Sequence, residues 1–180
     1  RLLAKSCRSR ETQVLAYCLM PNHVHFILVP ADEFGLRDAP GEAHRRYTRM
    51  VNFREGWKGH LWQERFHSFV LDEQHLLAAA RYVERNPVGA RLCGRAQDWA
   101  WSSAAAHLAG RDDALVAVRP MLDLVADWAA FTGEGEDERF NELLRGHAST
   151  GRPLGSDGFV ESLERRLARS LKCKKPGPKP

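Results

Sequence analysis

The stretch Val14–Val29 constrains this chain more than any other part of it. VLAYCLM (14–20) and HVHFILV (23–29) are two mostly apolar segments rich in branched residues, separated only by Pro21-Asn22. A two-residue link of turn-forming residues between such segments predicts an antiparallel hairpin of two buried-type strands. Pro30 closes it. Residues 1–10 read as the end of an amphipathic helix, and residues 31–42, with Gly35, Pro40 and Gly41, as a loop. His44–Phe53 is an arginine-rich helix ended by Gly56 and Gly59. Leu61–Leu71 (LWQERFHSFVL) has the aromatic and branched content of a third strand, and Asp72 is placed to cap a helix that begins near Glu73 and stops near Pro87. Helix, strand, strand, helix, strand, helix is an α+β order: an antiparallel sheet with helices packed on it.

Beyond this, Trp99–Leu108 begins further helical packing, Gly133–Glu142 is acidic and glycine-bearing, and GRPLGSDG (151–158) leads into a last helix, Phe159–Leu171. KKPGPKP (174–180) has a disordered composition. The division expected is a domain over 1–110, a helical extension over 111–173 and a basic tail over 174–180; there is no internal repeat. A chain of 180 residues with 43% apolar content suits one core-bearing domain with an appendage. No apolar run approaches the roughly 20 residues of a membrane span, and the N-terminus lacks the order of a signal peptide, so a cytoplasmic location is expected. Cys7, Cys18, Cys93 and Cys173 form no C-x-x-C pair and read as reduced thiols. The net charge of +4 is uneven: Phe159–Pro180 holds seven Lys/Arg against two Glu, leaving −1 for the rest. Such a tail suits a polyanion, and equally a solvated solubility tail.

His23 and His25, two apart on a strand, leave from one face while Val24 points away. Two imidazoles then converge on one point, the minimum for a divalent cation, although partly buried strand histidines satisfied by backbone or solvent give the same pattern. Tyr82 and Asn86, four apart, project from one side of the helix after Asp72. Leu76, Leu77, Ala80 and Val83 form its core stripe, with Tyr82 at the margin. A phenol there could meet a metal-bound phosphate, and Asn86 could add a neutral oxygen ligand. The plainer alternatives are a tyrosine flanking the core and an asparagine that ends a helix before proline.

AYCLMPNHVHFILVP (16–30), GHLWQERF (59–66) and LDEQHLLAAARYVERNPV (71–88) resemble the IS200-like Y1 transposases of the HUH endonuclease superfamily. Among these the similarity is greatest to the REP-associated tyrosine transposases, which process repetitive extragenic palindromes in bacteria. WSSAAAHLAGRDD (101–113) and TGRPLGSDGFVESLERRLAR (150–169) resemble them too. The resemblance implies a ferredoxin-like sheet carrying His23 and His25, with Tyr82 as nucleophile, Asn86 as third metal ligand and Mg²⁺ or Mn²⁺ as the cation. It implies nicking and rejoining of single-stranded hairpin DNA through a 5′-phosphotyrosine link, by a monomer with its site in cis.

Members of that family carry a strand before the opening helix, which is absent here, so the histidine strand is expected to lack a neighbour and the sequence to be truncated. Gly89-Ala90-Arg91 and Glu64 also depart from the family pattern, which would weaken DNA binding. Arg45, Arg46, Arg49 and Arg54, with Trp57, Lys58, Trp62 and Arg65, interleave cations and aromatics as a single-strand platform does, and Lys172, Lys174 and Lys175 would grip hairpin phosphates. Against that stands a core role for Trp62 and Phe66 with a solvated arginine face. Two other functions compete: a non-catalytic protein, decayed or domesticated, that binds palindromic DNA, and a histidine-metal hydrolase in which water attacks and Tyr82 has no role.

Overall fold

A computed structural model describes residues 1–133, 135 and 137–172. The elements run α1 (Leu2–Ser9), β1 (Gln13–Leu19), β2 (Val24–Val29), α2 (Gly35–Glu55), α3 (Glu73–Gly89), α4 (Ala104–Ala109), α5 (Arg119–Leu122), α6 (Trp128–Gly133), α7 (Glu138–Thr150) and α8 (Asp157–Leu167), with a 3-10 turn at Ala96–Asp98. The protein is α+β. Its described residues form two compact units: Arg1–Phe66 with Ala80–Gly135, and His67–Ala79 with the described residues beyond 136. The described residues between 111 and 135 thus belong to the same unit as the hairpin. No helix among the described residues is long and apolar enough to cross a membrane.

The hairpin forms as its sequence predicts. β1 and β2 pair antiparallel, with Leu19 opposite Val24, Cys18 opposite His25, Tyr17 opposite Phe26 and Ala16 opposite Ile27; a bulge between Val14 and Ala16 shifts the register. The strand begins at Val24, one residue later than expected, so His23 stands at its mouth, where the Met20 amide donates to the His23 carbonyl (2.9 Å). Opposed residues share a face of the sheet. Val14, Tyr17, Leu19, Phe26 and Leu28 take one face and join a core with Cys7, Ala39, Val116 and Val118. Ala16, Cys18, His25 and Ile27 take the other.

The free edge of β1 is covered by irregular chain. The Leu19 amide donates to the Trp101 carbonyl (2.8 Å), the Ser103 amide to Tyr17 (3.0 Å) and the Ala117 amide to Val14 (3.0 Å). Among the described residues the sheet has two strands, so β2 has no strand on its other edge.

Three expectations are corrected. First, residues 35–42 are helical, α2 starting at Gly35. A Cβ there would lie 2.7 Å from that of Pro30, so the close approach requires glycine. Pro40 sits inside the helix and gives up one i to i−4 bond, but it and Ala39 are buried, and α2 packs on α1. Burial of this face outweighs the local loop signal. Gly56, at φ 67°, ends the helix as expected.

Second, Leu61–Leu71 is not a strand. Gln63–Ser68 are exposed, and the stretch takes part in one isolated bridge, Leu71 with Leu154. Among the described residues the stretch adds no strand to the sheet; Trp62 stacks instead on His44 of α2. Third, α3 runs through Pro87 to Gly89. Pro87 is fully buried, and the turn beyond it closes through Ala90 to Asn86 (2.9 Å) and Leu92 to Pro87 (2.8 Å).

In the second unit, Asp72 caps α3 as expected, accepting from the His75 amide (3.1 Å), and also accepts from the Ser156 amide (2.8 Å). Asp137 and Ser156 cap α7 and α8 in the same way.

Candidate active site

β2 and α3 bring His23, His25, Tyr82 and Asn86 together in the first unit. The His23 and His25 rings meet edge to face at 4.8 Å between centroids, and the Tyr82 ring stands edge-on to His25 at 5.6 Å. The Asn22 carboxamide oxygen contacts His23 Nδ1 at 2.7 Å and fixes that ring. One turn along α3 from Tyr82, Asn86 donates weakly from its amide nitrogen to the Tyr82 carbonyl (3.4 Å). His23 is exposed; His25, Tyr82 and Asn86 are half-buried.

Burial drives the His25 pKa down to about 4, with the neighbouring His23 adding to the effect and the Asn86 side chain opposing it. The ring is therefore neutral at physiological pH, and its Nε2 is buried without a hydrogen-bond partner. A neutral imidazole with an orphaned nitrogen, a second imidazole beside it and an adjacent carboxamide make a donor set that suits a divalent cation. Among the described residues no group of three His, Cys, Asp or Glu is placed to hold a metal. Cys18, opposite His25 on the same face, does not extend the set: burial, and after it Glu84, push its thiol up to about 12.

The basic residues divide. Arg45 and Arg46 both bind Glu42 (2.8 and 2.5 Å), and Arg54 binds Glu55 (2.5 Å). Arg49, Lys58 and Arg65 are exposed. Trp62 is half-buried, stacked on His44 at 4.3 Å, which suits its packing reading better than a free platform. The aromatic surface lies elsewhere on and beside α2, at Phe53 (92% exposed) and Trp57 (60% exposed). Lys172 pairs with Glu161 (2.9 Å); Lys174 and Lys175 lie outside the described residues.

The sequence reading passed over Glu84. This residue of α3 is 0% exposed, and its carboxylate accepts from the Ser103 hydroxyl (2.5 Å), His107 Nδ1 (2.6 Å) and Trp128 Nε1 (2.8 Å). Ser103 Oγ in turn accepts from the Tyr17 amide of β1 (3.0 Å), and His107 stacks on Trp128 at 4.4 Å. The available signal was a charged residue on a core stripe, one turn after Ala80 and three residues before Pro87.

No curated protein and no solved structure matches the chain. A family model does match: over residues 1–86, a little under half of the chain and the part that holds His23, His25, Tyr82 and Asn86, the sequence is similar to the family described as "Transposase IS200 like".

Proposed function

We propose that this protein is a single-stranded DNA endonuclease and strand transferase of the HUH type, in which Tyr82 is the nucleophile. The observation that carries the reading is the edge-on meeting of Tyr82 with His25 at 5.6 Å, within an imidazole pair and one helical turn from Asn86. A Tyr merely flanking the core has no need to meet a histidine that itself packs on a second one.

In the reaction the Tyr82 phenol loses its proton to solvent and its oxygen attacks phosphorus. The bond to the 3′-oxygen breaks, and that oxygen takes up a proton. The products are a 5′-phosphotyrosine and a free 3′-hydroxyl. The link conserves the energy of the broken phosphodiester, so the reverse attack by another 3′-hydroxyl rejoins DNA without ATP. His23, His25 and the Asn86 carboxamide would hold Mg²⁺ or Mn²⁺, which when bound supplies charge neutralisation at the scissile phosphate. Burial keeps His25 neutral and its nitrogen available, while the ring contact orients the phenol. Exposed Arg49, Lys58 and Arg65 offer phosphate contacts, and Phe53 and Trp57 offer faces on which unpaired bases stack, at about 1–3 kcal/mol per base. The substrate in this reading is a palindromic hairpin with a single-stranded foot, as for REP-associated members.

The test is incubation of the protein with labelled single-stranded hairpin DNA and Mg²⁺ or Mn²⁺, followed by denaturing electrophoresis. A protein–DNA adduct that Tyr82→Phe abolishes is expected. Cleavage that persists in Tyr82→Phe would give the reaction to a water nucleophile, and binding without cleavage would make the chain a non-catalytic palindrome binder.

A further inference from the structure

Glu84 is the most anomalous residue of the first unit: a carboxylate with no exposed surface, in the middle of a helix, held by three donors from α4 with its N-cap and from α6. Burying such a group costs desolvation energy, and a well-packed apolar residue often stabilises a core as well or better. What the carboxylate supplies that an apolar side chain does not is direction. Its three hydrogen bonds fix both the rotation of α3 about its axis and its position along that axis.

Both degrees of freedom matter for what α3 carries. At 100° per residue, Tyr82 and Asn86 each lie about 160° around the helix from Glu84 and within about 40° of one another. Anchoring Glu84 on the inner side therefore sets the direction in which the opposite side presents both residues. The same carboxylate is also tied to the hairpin. Ser103, which donates to Glu84, accepts the Tyr17 amide, and its own amide donates to the Tyr17 carbonyl (3.0 Å). The next residue of β1, Cys18, is paired with His25 across the hairpin. A continuous buried path thus runs from the helix of Tyr82 through Glu84, Ser103 and β1 to His25. His107 shares Glu84 Oε1 with Ser103, Trp128 holds Oε2, and Arg85 adds a bond to the Thr132 carbonyl of α6 (2.6 Å).

We infer that Glu84 is the positioning residue of the site: through Ser103, His107 and Trp128 it locks α3 in register with the histidine hairpin so that Tyr82 and Asn86 face His25. The inference rests on the reading of Tyr82 and His25 as reaction partners, and two separate readouts keep the two apart. One is the rate of Tyr82 adduct formation on single-stranded hairpin DNA with Mn²⁺. The other is the NMR position of the His25 ring in histidine-labelled full-length protein without DNA, which senses the ring current of Tyr82.

Glu84→Gln keeps the shape of the side chain but turns a donor toward donors; Trp128→Phe leaves Glu84 in place and removes one of its three bonds. For folded Glu84→Gln the expectation is a shift of the His25 ring resonances and a loss of about ten- to a hundredfold in the adduct rate, with DNA affinity unchanged, as displacement of a reacting group by about an ångström produces. Wild-type His25 resonances together with a wild-type rate in a folded variant would overturn the proposal. If Glu84→Gln does not fold, Trp128→Phe decides by the same two readouts. Should the wild-type protein form no adduct, the enzymatic reading falls, and the His25 resonances alone decide: movement upholds positioning by Glu84, constancy refutes it.

Discussion

Ser103→Ala and Ser102→Ala make the same chemical change at neighbouring buried positions, and the structure assigns them different costs. Ser103 is 0% exposed; its hydroxyl donates to Glu84 (2.5 Å), accepts from the Tyr17 amide (3.0 Å) and also reaches the Tyr17 carbonyl (3.3 Å). Removing it deletes a hydrogen bond to a carboxylate, about 1.5–3 kcal/mol, and orphans a buried strand amide, about 1–3 kcal/mol; because the two losses share one atom they do not fully add, and about 3 kcal/mol is expected. Ser102, 4% exposed, donates to the Trp99 carbonyl at 3.2 Å and accepts from the Ala104 amide at 3.4 Å, both long bonds. Its loss should cost about 1 kcal/mol or less. Urea unfolding followed by tryptophan fluorescence measures the difference. With a slope of about 2 kcal/mol per molar, Ser103→Ala should lower the midpoint by about 1.5 M and Ser102→Ala by about 0.5 M or less. Equal midpoints for the two variants would refute the claim that the Glu84 network organises this unit.

Other consequences reach the surface and the second unit. Hydrogen bonds from Arg45 and then Arg46 hold the Glu42 carboxyl down to about 2, so both arginines remain committed to it. Glu42→Gln should free them, tighten binding of single-stranded DNA and steepen the salt dependence of log K by about one unit, as read in a fluorescence-anisotropy titration against salt. A Cβ on Gly155 would clash with the Phe159 ring and lie 2.9 Å from the Asp72 carboxylate, so Gly155→Ala should destabilise the second unit by about 1–3 kcal/mol in thermal unfolding. At Asp72, burial raises the carboxyl pKa, but hydrogen bonds from the His75 ring and from the Ser156 and His75 amides outweigh it and leave the group below its ordinary 3.8. The unfolded chain takes up that proton first, so the contribution is complete above 3.8 and is lost as pH falls through the lower folded value. Asp72→Asn should flatten the acid limb of the stability curve in urea titrations run downward from about pH 5.

The hairpin, the opening helix, the Asp72 cap and the terminal helix were legible because each depends on local rules: apolar runs, a Pro-Asn turn, a capping carboxylate. His23, His25, Tyr82 and Asn86 were nominated by spacing and by resemblance, and the structure brings them together. The misreadings came where distant packing overrode a local signal. Gly35, Pro40 and Gly41 mark a loop in isolation, yet burial of Ala39 and Pro40 carries the helix through them. LWQERFHSFVL has strand composition, but composition does not supply a partner edge, and Trp62 found His44 instead. Glu84 was missed for the same reason: its partners lie 19, 23 and 44 residues away. No helical periodicity names a donor at that distance; the only trace is a carboxylate standing where the core stripe calls for an apolar side chain.

The most direct test of the central claim is to locate the attached nucleotide. After reaction with single-stranded hairpin DNA and Mg²⁺, nuclease trimming and trypsin digestion, cleavage after Arg81 and Arg85 isolates Tyr82 in the peptide Tyr82–Arg85. The account predicts that mass spectrometry finds a 5′-phosphonucleotide on that peptide, at the tyrosine oxygen, and that the signal vanishes in Tyr82→Phe. Cleaved DNA with the nucleotide on another peptide, or on none, would contradict it.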